Sequence, residues 1–93
     1  MNAEKDIEII RKKFPNRPII YYFEYKNGYV FFVSPLTKYD PKITPYILFV
    51  NKNGDMSVFS YLDEMRKDPE GLTRARKRKI FVDVEENKIN PKY

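Results

Sequence analysis

The sequence predicts an α+β domain in the order αββββααβ, with an antiparallel sheet of four to five strands packed against helices. Three observations carry this expectation. Runs rich in aromatic and β-branched residues flank Asn27-Gly28, and two more flank Asn53-Gly54. An Asn-Gly pair in that setting marks a β-hairpin, because a type I′ turn needs positive φ at both central positions. Ahead of the hairpins, Ala3, Ile7, Ile10 and Phe14 recur at the spacing of one helical stripe. Behind them, Asp68-Pro69-Glu70 has the form of a helix start: a cap, a proline at the first position and an acid in the first turn.

Taken in order, the first helix is expected over about Ala3 to Lys13. Asn2 is its candidate cap, Glu4 and Asp6 suit the positive end, and Arg11, Lys12 and Lys13 suit the negative end. Pro15 and Pro18 stop it. The first hairpin runs Ile19 to Lys26 and Tyr29 to Ser34, and a two-residue loop pairs Lys26 with Tyr29, Glu24 with Phe31 and Tyr22 with Val33. Tyr21, Phe23, Tyr25, Val30 and Phe32 then share an uncharged face, the better core candidate. Residues 35–45 form a loop with three prolines. The second hairpin runs Tyr46 to Lys52 and Asp55 to Phe59. Ser60 and Asp63 have the spacing of a capping box, with Leu62 and Met65 facing inward from a short helix. A further helix is expected over about Pro69 to Lys79, with Leu72 and Ala75 on its apolar stripe. Ile80 to Val84 reads as the last strand, and the polar tail over about 85–93 as loose.

Ninety-three residues suit one small domain spanning 1–93. A chain of this size buries only about 60% of its unfolded surface. Eight tyrosines and seven phenylalanines therefore matter, since each supplies a large apolar area. The absence of cysteine excludes a disulfide framework and thiolate metal sites. The first residues are polar and acidic where a signal peptide would be basic and then apolar, and the longest apolar runs are strand-length. The expected location is the cytoplasm. Phe, Tyr, Ile, Asn and Lys, all with AT-rich codons, make 43 of the 93 residues. That composition suggests an AT-rich bacterium or one of its phages.

Catalytic chemistry finds few candidates. Without histidine or cysteine, the commonest general base is missing, and so are zinc sites and the Ser-His and Cys-His nucleophile arrangements. Two of the three glycines sit in hairpin turns, so no phosphate-cradling loop is formed. Residues 51–55 resemble part of a calcium loop but lack its spaced acids, and the turn suffices to explain them. Glu24-Tyr25-Lys26 matches the E-x-K half of magnesium-dependent nucleases, in which carboxylates hold the metal and a lysine stabilises charge. The matching earlier acid on a strand is missing. Size and charge also fit a ribosome-dependent RNA-cleaving toxin, although such toxins begin with a pair of helices. No cofactor is expected, and the chain reads as non-enzymatic.

Two features remain as candidate sites. The formal charge of +5 equals the five cations of Arg74, Arg76, Lys77, Arg78 and Lys79. As a binding site the cluster would contact phosphates of a nucleic acid or an acidic patch of a partner protein. The blander account, which we prefer, is that cations belong in the last turn of a helix that begins with acids. The other feature is the second face of the first hairpin, where Ile20, Tyr22, Tyr29, Phe31 and Val33 lie with Glu24 and Lys26. If exposed, Tyr22, Tyr29 and Phe31 would stack bases or form a protein interface, such as that of a homodimer. The preferred account covers this face with the two C-terminal helices and the other face with the N-terminal helix.

From Ala3 to about Glu70 the layout resembles small immunity proteins of bacterial polymorphic toxin systems. The residues that carry the resemblance are Gly28-Tyr29-Val30-Phe31-Phe32, then Pro45 to Gly54, then Tyr61-Leu62-Asp63-Glu64. It implies a non-catalytic binder that acts by occupying a partner protein's surface. The alternative is a nucleic-acid-binding module using the basic segment 74–79.

Overall fold

A computed structural model of the protein describes residues 3–89. The chain forms helix α1 (Ala3–Lys13), strands β1 (Ile19–Tyr25), β2 (Gly28–Val33), β3 (Tyr46–Asn51) and β4 (Met56–Val58), helices α2 (Tyr61–Lys67) and α3 (Pro69–Lys77), and strand β5 (Ile80–Phe81). A short 3-10 turn follows at Glu86–Lys88. The strands make one antiparallel sheet in the order β4-β3-β2-β1-β5. The α+β class and the element order match the sequence expectation. The Asn2 cap lies outside the described residues.

Both faces of the sheet are covered. Ile10, Ile7, Ile9, Ala3 and Phe14 of the α1 region pack on Ile19, Tyr22, Tyr29, Phe31, Val33, Leu48 and Val50. Tyr61 and Met65 of α2 and Leu72 and Ala75 of α3 pack on the opposite face, with Ile20, Tyr21, Phe23, Tyr25, Val30 and Phe32. The helices thus lie on the faces opposite to those expected from the sequence. The physical reason is the path of the chain. Phe59, just past β4, points to the Tyr25 face, its ring 5.9 Å from that of Tyr25, and α2 begins two residues later on the same side. Central strand β2 is buried at all six positions, so its two faces fill two separate cores.

The first hairpin differs from expectation by two residues. Tyr25 pairs with Gly28, Glu24 with Tyr29 and Tyr22 with Phe31, leaving Lys26 and Asn27 as the turn. Because side chains alternate with period two, a slip of two keeps each residue on its expected face. Lys26 takes the left-handed conformation, with φ of 52°. Gly28 is instead an extended strand residue against β3. A Cβ there would meet the Phe49 ring at 2.6 Å and collide with the Val50 carbonyl oxygen. Ile20 leaves the face expected for it, because a register shift between Ile19 and Tyr21 turns it to the Tyr21 side. At the second hairpin Gly54 does supply positive φ, 84°, while the Asn51 side chain accepts from the N–H groups of Asn53 and Asp55. The two turns are tied together by the Lys52 N–H, which donates to the Asn27 carbonyl at 2.9 Å.

The C-terminal third departs in detail. Ser60 occupies the cap position of α2 but makes no side-chain cap bond, so the expected capping box with Asp63 is not formed. Leu62 points to solvent at 71% exposure, and Tyr61 takes the inward position. Asp68 caps α3 as expected, its carboxylate accepting from the Gly71 N–H at 3.1 Å. β5 is two residues long and not five. After it, the Asp83 carboxylate accepts from the buried Ile19 N–H at 2.8 Å and from both Arg11 guanidinium nitrogens. The polar stretch from Glu85 is not loose throughout: Ile89 packs against the Tyr21 core, beside buried Val84. Residues 90–93 of that stretch lie outside the described residues. Among the described residues no helix is long and apolar enough to cross a membrane.

Candidate functional site

The sequence-derived candidates are placed as follows. Phe31 is fully buried, Tyr29 nearly so, and Tyr22 half-buried beneath α1. Tyr22 stacks on Phe31 at 5.3 Å and meets Tyr29 edge-on. Burial also pushes the Tyr29 phenol above its ordinary pKa, an effect reinforced by Glu24. This aromatic face is interior, so it offers no surface for stacking bases or for a homodimer. Glu24 and Lys26 do not converge. Glu24 lies beside Tyr29, whereas the Lys26 ammonium reaches Glu64 of α2 at 3.2 Å. Among the described residues no three acids come together in a way that would hold a metal ion.

The basic segment is split by its geometry. Arg74, Lys77 and Arg78 are exposed at the end of α3. Arg76 turns inward: its guanidinium donates to the Tyr61 hydroxyl at 3.1 Å and lies over the rings of Tyr61 and Phe32. Burial alone would lower the pKa of this guanidinium, but Tyr21 and Tyr61 outweigh it and the net direction is upward. The Lys79 ammonium sits 5.7 Å above the Tyr21 ring. Two of the five cations are therefore anchored on the aromatic core, while the other three project into solvent.

The most exposed apolar residue belongs to the free edge at β4, which was not among the sequence-derived candidates. Phe59 donates its N–H to the Ile47 carbonyl at 2.9 Å, and Asn51 donates to the Asp55 carbonyl at 3.0 Å. Those bonds fix the alternation of the ladder. Residues 55, 57 and 59 turn their backbone groups toward β3, and Met56 and Val58 turn theirs outward to the open side. The Val58 side chain is 84% exposed. Met56-Ser57-Val58 carries neither the charge nor the proline that protect many edge strands, and is shielded only by its length of three residues.

A groove flanks this edge on each face of the sheet. On the α1 side, Phe14, Tyr46, Ile47, Leu48 and Val58 enclose an apolar groove of about 260 Å³. On the α2 side lies a groove of about 280 Å³ of mixed character, with Phe49 and Phe59 on its walls beside Lys26, Asp63, Glu64 and Lys67. Its floor is organised by Tyr25, whose hydroxyl donates to Glu64 at 2.9 Å and reaches Asp68 at 3.3 Å. That bond, with the Lys26 ammonium, holds the Glu64 carboxyl below the usual carboxylate range despite partial burial. An extended segment beside β4 would send alternate side chains into the two grooves. In the sequence, the uncharged strand after Asn53-Gly54 was the available signal. Its position at an edge depends on β5 joining the sheet beyond β1, which local patterning does not encode.

No family model, curated protein or solved structure matches the chain.

Proposed function

We propose that this protein is a non-enzymatic binding module that takes an extended segment of a partner protein as an additional strand on β4. The observation that carries the proposal is Val58, an 84% exposed apolar residue whose backbone faces outward between an apolar groove and one of mixed character. In strand addition, main-chain bonds provide affinity, and pockets for alternate side chains provide selectivity. The partner segment would alternate, with apolar side chains toward Phe14, Tyr46 and Leu48 and polar ones toward Asp63, Glu64 and Lys67. A second copy of this chain is disfavoured as the occupant, because the net charge of +5 would be set against itself. A neutral or acidic partner meets no such repulsion. Occupying a partner's surface is also the role implied by the resemblance to immunity proteins.

The test is a selection of linear peptides from a random display library, followed by affinity measurements on wild type and on Val58→Pro. Proline removes the outward N–H and leaves the bonds to β3 in place, a substitution that sheet edges tolerate. Selected peptides are expected to lose at least about tenfold in affinity, roughly 1.4 kcal/mol, with global stability little changed. Equal binding to both proteins would reject strand addition.

A further inference from the structure

We propose that the groove between α2 and the end of α3 is a binding site for a single phosphate-type oxyanion. The groove encloses about 250 Å³ and is lined by Tyr61, Met65, Thr73, Arg76, Lys77 and Lys79. It therefore gathers three cations and two hydroxyl groups around an opening large enough for one tetrahedral anion. It lies apart from β4, and its occupancy is independent of strand addition.

Among the described residues no carboxylate compensates the charge of Arg76, Lys77 and Lys79 in the groove, and the ion pairs Arg11–Asp83 and Lys26–Glu64 lie elsewhere. Cations at a helix C-terminus do complement the macrodipole, but that dipole supplies only about half a negative charge. The segment supplies five positive ones. Exposed Arg74 and Arg78 disperse theirs into water. Arg76 does so less readily, because it is half-buried against Phe32 and Tyr61, and a desolvated cation favours a counterion.

The geometry also suits an oxyanion more than a diffuse field. A guanidinium presents five N–H donors in a rigid fork, matched to two oxygens of a phosphate. Packing on two rings and the bond to Tyr61 hold the Arg76 fork in place before any ligand arrives, which lowers the ordering cost of binding. The buried Tyr21 hydroxyl lies against the same guanidinium, which steadies Arg76 from the sheet side.

The experiment is an NMR titration of backbone amides and the Arg76 Nε–H with inorganic phosphate, methyl phosphate and dimethyl phosphate, each against chloride at matched ionic strength. Saturable shifts centred on Tyr61, Thr73, Arg76 and Lys77, absent with chloride, are expected. Lys77→Gln, at an exposed position, should weaken phosphate binding severalfold without altering the fold. Tyr61→Phe should weaken it by freeing the Arg76 fork. Comparable binding of dimethyl phosphate would identify a nucleic-acid diester as the natural source, whereas preference for the dianions would identify a free or terminal phosphate. The proposal is overturned if chloride reproduces the shifts, or if Lys77→Gln and Lys79→Gln both bind phosphate as wild type does.

Discussion

The hydroxyl of Tyr25 donates to the carboxylate of Glu64 at 2.9 Å and reaches that of Asp68 at 3.3 Å. A single buried phenol at the end of β1 thereby ties the sheet to the first turn of α2 and to the cap of α3. Asp68 also holds the Gly71 N–H, so the start of α3 and its attachment to the sheet share one side chain.

Tyr25→Phe keeps the ring and deletes these bonds, and its expected cost is about 1–2 kcal/mol. Its pH dependence follows from the signs. The Glu64 carboxyl is lowered in the folded protein, chiefly by Tyr25 and then by Lys26. It therefore contributes stability above its unfolded pKa that is lost as pH falls through the folded value. The Tyr25 phenol is pushed up, first by burial and then by Glu64. Its contribution is present below the ordinary tyrosine pKa and fades as pH rises beyond it. Denaturant unfolding across pH should show that Tyr25→Phe flattens both limbs of the wild-type profile.

Gly28 and Lys26 make opposite predictions. Gly28→Ala places a Cβ against the Phe49 ring and the Val50 carbonyl in the middle of the sheet. A loss of about 3 kcal/mol is expected. Lys26→Gly relieves a left-handed lysine, with an expected gain of about 0.5 kcal/mol, reduced slightly by the loss of a half-exposed ion pair with Glu64. Had the turn been Asn27-Gly28, Lys26→Gly would have weakened a strand. Thermal denaturation of the two variants separates the registers.

Asp83 shows which half of a salt bridge matters. Arg11→Ala removes only an exposed partner, and the cost should stay below about 1 kcal/mol. Asp83→Ala also leaves the N–H of fully buried Ile19 without its acceptor, for which about 1–3 kcal/mol is expected. Unfolding free energies of the two single variants test the ranking. Equal costs would show that the ion pair, not the backbone bond, closes the junction between α1, β1 and β5.

These residues also show what local sequence could and could not convey. The α3 start at Asp68-Pro69 and the α1 stripe of Ile7, Ile10 and Phe14 were legible because helix caps and periodicity are local properties. The β1–β2 register was not, because Gly28 is required by contact with Phe49, some twenty residues away, and that requirement looks like a turn signal. The helix faces were exchanged for a similar reason: both sides of β1 and β2 are aromatic, so neither side identifies its cover. For the candidate sites, the charge of residues 74–79 was evident, but not that Arg76 and Lys79 would be anchored on rings while Arg74, Lys77 and Arg78 stay free. The uncharged Met56-Ser57-Val58 strand was legible, but not its place at an edge, which depends on where α2 and α3 carry the chain before β5 joins β1.

The central claim, strand addition at β4, is tested most directly by amide hydrogen exchange at Met56 and Val58 with and without a peptide selected on the wild-type protein. The account predicts that both outward amides become protected on binding while Ser57 and Phe59, already bonded to β3, change little, and that Val58→Pro abolishes the effect. Protection that falls elsewhere, or binding that leaves Met56 and Val58 exchanging as in the free protein, would contradict it.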